Sequence, residues 1–336
     1  MRRTGMRAVL AAAAVLAVLF AAFRHFREPE QPGYLLRYAD NQPAGYPSTE
    51  GAIYFAKLVE ERTGGDVRIH VYGNEELGDE MEVTRQLQFG GIDFARVSTV
   101  QLIGYCDAFA VLSLPYLYQD EDHLWRVIDG EIGDSFLGAI GDSGLIGLSW
   151  YDGGARHFYT SKVQVRRLED LKGLTIRTQQ VQYAEDMIRA LGAIPKQTPY
   201  SAVYSAISTG AVDGAENSWP SYMVREHYKV AKYVFEDEHV RIPEMQLMSA
   251  KTAGELPEAY LKIIRECARE SAVYERGIWK EFEERARAGA VKEGVVITAL
   301  TERERERFRS ACQPLYDQYG AGHEEMLKQI QAAGEQ

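Results

Sequence analysis

The sequence predicts an α/β protein made of two lobes around a cleft, and three observations predict it. The chain is 336 residues long, more than one small hydrophobic core ordinarily serves. Short alternating apolar stretches take turns with amphipathic stretches of helical period along most of its length, the pattern of lobes with parallel sheets. Finally, "QLQFGGIDFARVS" (86–98) is echoed by "AISTGAVDGAENS" (206–218), each with a helix end, a glycine, an apolar pair and an aspartate. Two related lobes that face each other turn the loops after their strands toward a shared cleft, where open α/β sheets hold ligands.

The elements follow in order. "YLLRYAD" is a strand, and "TEGAIYFAKLVEERTGG" is an amphipathic helix stopped by Gly-Gly. "DVRIHVYG" is a second strand, and "DEMEVTRQLQFGGID" is a second helix and its exit. The alternation continues through "GLIGLSWYD", "LTIRTQ", the helix "VQYAEDMIRALGA", "IPKQT" and the helix "SAVYSAISTGAVDG". From Leu256 the chain turns helical, with a long, charged, periodic stretch, then the short strand "VVITAL" and a last helix. The run "TERERERFR" is expected to be a solvated helix face with i,i+4 ion pairs.

The N-terminus is a separate object. "MRRTGMR" is basic, Ala8 to Phe23 is a 16-residue apolar run, and "RHFREPEQP" is polar. These are the marks of an export signal, so residues 1–27 are expected to be a signal peptide or, if uncleaved, an N-terminal anchor. The run is short for a spanning helix, and no cysteine follows it to carry a lipid. A periplasmic or otherwise extracytoplasmic protein is the expectation. The formal net charge is −11, and losing residues 1–27 removes five positive charges and no negative ones, leaving −16. Nucleic acid and anionic membrane surfaces are poor partners for such a chain. An acidic ligand would need a local positive site. Cys106, Cys267 and Cys312 are widely spaced, and their odd number argues against a disulfide framework.

No phosphate loop, G-x-S-x-G elbow or H-E-x-x-H motif is present. No metal site, cofactor or nucleophile–base pair is expected. The conspicuous polar residues stand at strand exits. In "EDLKGLTIRTQQ", Leu174 and Ile176 alternate with Thr175 and Arg177, so a strand in an acidic chain ends on a guanidinium. It is either an ordinary solvent-facing arginine or a fixed fork for an anion. Arg156 follows "LSWYDGGA", and Glu216 and Asn217 close "VDGAEN" before Trp219. An arginine fork gives a carboxylate two parallel charge-assisted bonds, which lysine does not reproduce.

"DLKGLTIRTQQ…RALGAIPKQTPYSAVYSAISTGAVDGAENSWPSY" resembles the signature of the DctP-type solute-binding proteins of tripartite ATP-independent periplasmic (TRAP) transporters. "FAKLVEERTGGDVRIHVYGNEELGDEMEVTRQLQFGGIDFA" and "LSLPYLYQDEDHLWRV" are similar to its first lobe, so the resemblance covers nearly all of the chain after the signal. It implies a class II-like periplasmic-binding-protein fold, with crossing strands, a hinge and a long helix spanning both lobes. Lobe I would be 33–154 with part of 243–285, and lobe II 155–242 with part of 286–336. Arg177 matches the arginine that salt-bridges the ligand carboxylate, Arg156 a second that assists, and Asn217 a ligand-contacting asparagine. Asn41 falls where first-lobe polar contacts arise. Ser98, Tyr200, Trp219 and His239 are candidate pocket walls. Gln179 and Gln180 replace a more apolar pair and suggest hydroxyl recognition. Ala202 and Ile207 depart from the family pattern without touching the carboxylate clamp.

The resemblance implies a receptor and not an enzyme, monomeric, which passes a small organic acid to the membrane subunits of a TRAP transporter. "WYDGGAR" with "ENSWPSY" is most similar to members that bind sugar acids, so a hexuronate or aldonate comes first, then a C4-dicarboxylate, then a keto or aromatic acid. Two rivals stay open. A periplasmic enzyme would need Glu216 or His239 as its acid or base, and a membrane-anchored sensor would need Ala8 to Phe23 uncleaved.

Overall fold

The computed structural model describes residues 32–335; the expected signal or anchor, 1–27, lies outside the described residues. Its strands are β1 (Tyr34–Ala39), β2 (Val67–Tyr72), β3 (Phe94–Ser98), β4 (Leu145–Tyr151), β5 (Ala155–Thr160), β6 (Thr175–Thr178), β7 (Ile194–Gln197), β8 (Gly214–Asn217), β9 (Tyr233–Arg241), β10 (Glu244–Ser249) and β11 (Val296–Ala299). They form two sheets, ordered β2-β1-β3-β10-β4 and β11-β9-β5-β8-β6-β7, one per lobe.

The sheets are mixed, which corrects the expectation of parallel ones. In the first, β1 runs parallel to β2 and β3, while β10 is antiparallel to β3 and β4. In the second, β5 is antiparallel to β8 and β9. The cause is two crossings between the lobes, through Asp152–Gly154 and through Ile242–Pro243. A strand that returns from the other sheet meets its new neighbours head to tail. Period and length in the sequence reveal a strand but not its partner.

Helices α1 (Pro47–Arg62) and α2 (Glu80–Phe89) belong to the first lobe, α3 (Gln182–Ala190) and α4 (Trp219–Val224) to the second. A 35-residue helix, α5 (Glu258–Lys292), joins them. At 1.5 Å per residue it is about 50 Å long. Leu261, Ile264, Cys267 and Ala268 near its start pack with Phe55 and Val59 in the first-lobe core. Ala286 and Ala290 near its end pack with Tyr159 and Tyr222 in the second-lobe core. Burying Leu261 and Ile264 contributes roughly 1.5–3 kcal/mol each, and the two alanines let the far end approach the second-lobe core closely, so the helix is packed at both ends.

The internal echo is visible in the backbone. Gly90 and Gly210 both take left-handed conformations, at φ 71° and 74°. Asp93 accepts the Arg37 N–H of β1 at 2.7 Å, and Asp213 accepts the Thr175 N–H of β6 at 2.8 Å. Each aspartate thereby ties its own strand to a parallel neighbour. Three residues on, at equivalent positions, stand two buried charges, Arg96 and Glu216.

The C-terminal helices α6 (Glu302–Ala311), α7 (Gln313–Tyr319) and α8 (Glu324–Ala333) lie across both lobes. The Tyr316 hydroxyl donates to the Pro115 carbonyl in the first lobe at 2.8 Å, and the Tyr319 hydroxyl to Asp186 in the second at 2.6 Å. Helix α6 turns its charged residues toward solvent, as expected, but not with the expected i,i+4 spacing. Phe308 is fully buried, Arg307 pairs with Glu169, and the ion pairs within the helix are i,i+3. Among the described residues no helix is long and apolar enough to cross a membrane.

Candidate functional site

The carboxyl ends of β1, β3, β6 and β8 and the two crossings surround a cleft of about 640 Å³, mouth included. Its second-lobe wall carries Arg156, Arg177, Gln179, Tyr200 and Asn217; its first-lobe wall carries Asn41, Gln42, Glu80, Arg96, Ser98 and Glu244. Strand geometry places them there. Ile176 goes into the core, so the next residue of β6, Arg177, turns to the opposite face and into the cleft.

Arg177 is only 3% exposed. Its Nε donates to the Thr198 carbonyl at 2.9 Å, and among the described residues its terminal nitrogens have no protein partner. Burial weakens its hold on the proton, with Glu216 offsetting this only in part, yet a guanidinium stays charged. A buried cation that lacks a counter-ion is costly unless an anion arrives.

Arg156 is engaged. It donates from NH2 to Glu216 Oε1 at 2.8 Å and to the Glu216 carbonyl at 2.9 Å, from Nε to Glu216 Oε2, and from NH1 to Asn217 Oδ1 at 3.0 Å. Asn217 Oδ1 also accepts the Ser218 N–H at 2.8 Å. Two donors on that oxygen fix the amide's orientation, so its nitrogen is the group left to donate into the cleft.

Behind this wall, His239 Nδ1 lies 3.1 Å from Asp237 Oδ2, and His239 Nε2 lies 3.6 Å from Glu216 Oε2. Burial disfavours the imidazolium, but Asp237 and Glu216 outweigh it and raise the His239 pKa to about 9. Burial likewise opposes ionisation of Glu216, but Arg156 and His239 overcome it and hold the carboxyl down at about 2. The four charges Asp237, His239, Glu216 and Arg156 compensate one another, which leaves Arg177 as the surplus cation of this wall.

Two expected pocket walls lie elsewhere. His239 is fully buried behind Glu216 and does not line the cleft. Trp219 opens α4 and turns back into the second-lobe core, where its Nε1 donates to Glu236 at 3.2 Å. Ser221, two residues later, is the α4 residue that faces the cleft. The other seven candidates, Arg177, Arg156, Asn217, Asn41, Ser98, Gln179 and Tyr200, come together around it.

Arg96 was not anticipated. It is 2% exposed and donates from NH1 to Glu80 at 2.9 Å and to Glu244 at 3.0 Å, and from NH2 to Asp40 and Asn41. Burial pushes the Glu80 carboxyl up. Burial and the neighbouring Glu80 and Asp40 likewise outweigh Arg96 at Glu244 and push its carboxyl up to about 8. The echo held the available signal, since Arg96 occupies the register position of Glu216. Gln42, Glu80, Ser221 and Glu244 carried none.

The lobes meet over the cleft. Gln179 Nε2 donates to Ser98 Oγ at 3.0 Å, the Tyr46 and Ser221 hydroxyls are 2.9 Å apart, and Arg225 donates to the Asn41 carbonyl at 2.6 Å and to Asn74 Oδ1 at 2.9 Å. Among the described residues no cluster of three or more His, Cys, Asp or Glu could hold a metal ion. The arrangement suits a small anion held by a buried fork and enclosed by both lobes.

Bacterial extracellular solute-binding protein family 7, DctP, matches residues 38–322. A solute-binding protein of Chromohalobacter salexigens is 34% identical over 284 residues, 84% of each chain. A TRAP periplasmic solute-binding protein of Xanthobacter autotrophicus Py2, solved with bound β-D-galacturonate, has a TM-score of 0.85 at 36% identity, covering 88% of this chain and 99% of its own. One from Pseudomonas putida F1, solved with bound D-glucuronate, has a TM-score of 0.86 at 32% identity, covering 89% and 97%.

Proposed function

This chain belongs to the DctP family of bacterial extracellular solute-binding proteins, and from that premise we propose that it is the TRAP-transporter receptor for a hexuronate such as galacturonate or glucuronate. The observation that carries this is Arg177, a buried guanidinium with a single backbone contact at Nε and no counter-ion among the described residues. A ligand carboxylate would accept two parallel bonds from its terminal nitrogens and one from the Asn217 amide. The polar first-lobe wall would take the ring hydroxyls. The uronates bound in structures that share this fold at 32–36% identity support the ligand class.

Contacts from both walls would favour the closed arrangement, because a ligand shifts a two-state equilibrium only by its differential contacts with the two states. Residues 1–27 would direct export, and the recipients would be the membrane subunits of a TRAP transporter. The test is calorimetric titration and thermal shift with D-galacturonate, D-glucuronate, succinate and pyruvate, on wild type and Arg177→Ala. A ligand at 100 times its Kd adds about 2.7 kcal/mol to folding. A shift with the uronates that disappears in Arg177→Ala supports the proposal; a shift confined to succinate or pyruvate, or one indifferent to Arg177, overturns it.

A further inference from the structure

The two walls of the cleft differ in charge. On the second lobe, Arg156 and His239 are matched by Glu216 and Asp237, so Arg177 is in excess. On the first lobe the balance is reversed. Arg96 alone faces Asp40, Glu80 and Glu244, with Glu75 and Asp79 also lining the cleft. A ligand spanning the two walls therefore meets a surplus cation at one end and surplus carboxyls at the other.

These carboxyls retain hydrogen-bonding capacity. Glu244 receives Arg96 on Oε1, while its Oε2 has no protein partner among the described residues and the side chain lines the cleft. Glu80 receives Arg96 and the Ser98 backbone N–H on Oε1, and a 3.3 Å contact from the Ser98 hydroxyl on Oε2. Both side chains are mostly buried, 11% and 15% exposed, so water screens them poorly. A sugar hydroxyl is suited to such a wall, since it donates to a carboxylate oxygen and accepts from a protonated carboxyl or a guanidinium. A second carboxylate is not suited, because Arg96 already has three acidic partners.

We propose that Glu80 and Glu244, gathered on Arg96, are the specificity residues of this cleft: they bind the hydroxyls at the far end of the ligand and reject acids that carry a second carboxylate there. The proposal rests on Arg177 as the clamp for the first carboxylate. It sorts acids by charge rather than by length. Galactarate and galacturonate share a six-carbon hydroxylated chain, yet only the monoacid is accepted.

The experiment is calorimetric titration of the wild-type protein with D-galacturonate, D-galactonate, galactarate and succinate, repeated on Glu244→Gln and on Glu80→Gln/Glu244→Gln. Circular dichroism melts establish that each variant is folded, and the single variant stands in if the double one does not fold. Wild type is expected to bind galacturonate at least about 100-fold more tightly than galactarate. The single variant leaves Arg96 with Asp40 and Glu80 and the double variant with Asp40 alone, so the galacturonate-to-galactarate ratio should fall by about tenfold or more in the double variant and by less in the single. Equal binding of the two acids by wild type, or a ratio unchanged in the variants, overturns the inference and leaves the Arg177 clamp standing. Succinate binding that depends on Arg177 and exceeds galacturonate binding also overturns it. If none of the four acids binds wild type, the proposed function fails and the inference with it.

Discussion

Arg156 and Glu216 are locked together, with the guanidinium donating at 2.8 Å to Oε1 and at 2.9 Å to the backbone carbonyl of the same glutamate. The two arginines of the second-lobe wall therefore do different work. Arg156 builds the wall, and Arg177 beside it has no protein partner on its terminal nitrogens among the described residues.

That division is measurable. Arg177→Ala should weaken uronate binding by about 100-fold or more while leaving the unliganded protein as stable as wild type or slightly more so, because an unpaired buried charge is removed. Arg156→Ala should cost about 3–5 kcal/mol of folding stability, since it strands Glu216 beside His239. Urea denaturation without ligand separates the two; equal losses of stability would refute the assignment.

Asn217 presents its amide nitrogen because its oxygen is taken by Arg156 and the Ser218 N–H. Asn217→Asp replaces that donor with a carboxylate oxygen facing the ligand's own. Binding should fall by about 100-fold with little change in the circular dichroism melt. Unchanged affinity would mean that the ligand carboxylate lies elsewhere.

Hydrogen bonds join the lobes across the cleft, among them Tyr46–Ser221 and Gln179–Ser98. Each contributes about 0.5–1.5 kcal/mol. Tyr46→Phe with Gln179→Ala should speed ligand release severalfold while slowing association little, which stopped-flow fluorescence would resolve. A loss confined to the association rate would argue against a latch.

Stability should fall as pH rises from about 4 to 9. Burial lifts the Glu244 and Glu283 carboxyls to about 8 and Asp152 to about 6, and Asp237 with Glu216 lifts His239 to about 9 against the opposing effect of burial. Each of these groups binds its proton more tightly in the folded chain than in the unfolded one. The stability they contribute is complete at low pH and is lost as pH passes through the folded values. Glu216 has the opposite sign. Its depressed value, about 2, adds stability above the ordinary carboxylate range, which is lost only as pH falls toward 2. Melting temperatures from pH 3 to 9 should peak at about pH 4 to 5, where the unfolded carboxyls titrate, and Glu244→Gln should flatten the decline above that peak. A melting temperature that rises toward pH 9 would contradict this.

Local chemistry made much of the molecule legible. Alternation marked β1, β2, β4, β6 and β11, the helical period marked α1, α3 and α5, and strand exits marked Arg177 and Asn217 as polar groups at the mouth of a cleft, whereas Arg156, expected at an exit, stands near the start of β5. The matched aspartates Asp93 and Asp213 were visible as an echo.

By itself, then, the sequence determined the α/β alternation, the spanning helix as a long periodic stretch, and the arginine near the end of β6. Those features depend on neighbours a few residues apart, within reach of strand and helix periodicity. Only the tertiary structure decided that the sheets are mixed, that Trp219 and His239 face away from the cleft, and that Arg96 gathers three acids. It also decided which arginine is free. The physical reason is that a buried charge is satisfied by whatever the fold brings beside it: Glu216 reaches Arg156 across 60 positions and Glu244 reaches Arg96 across 148, and no pattern of local spacing records such a pairing.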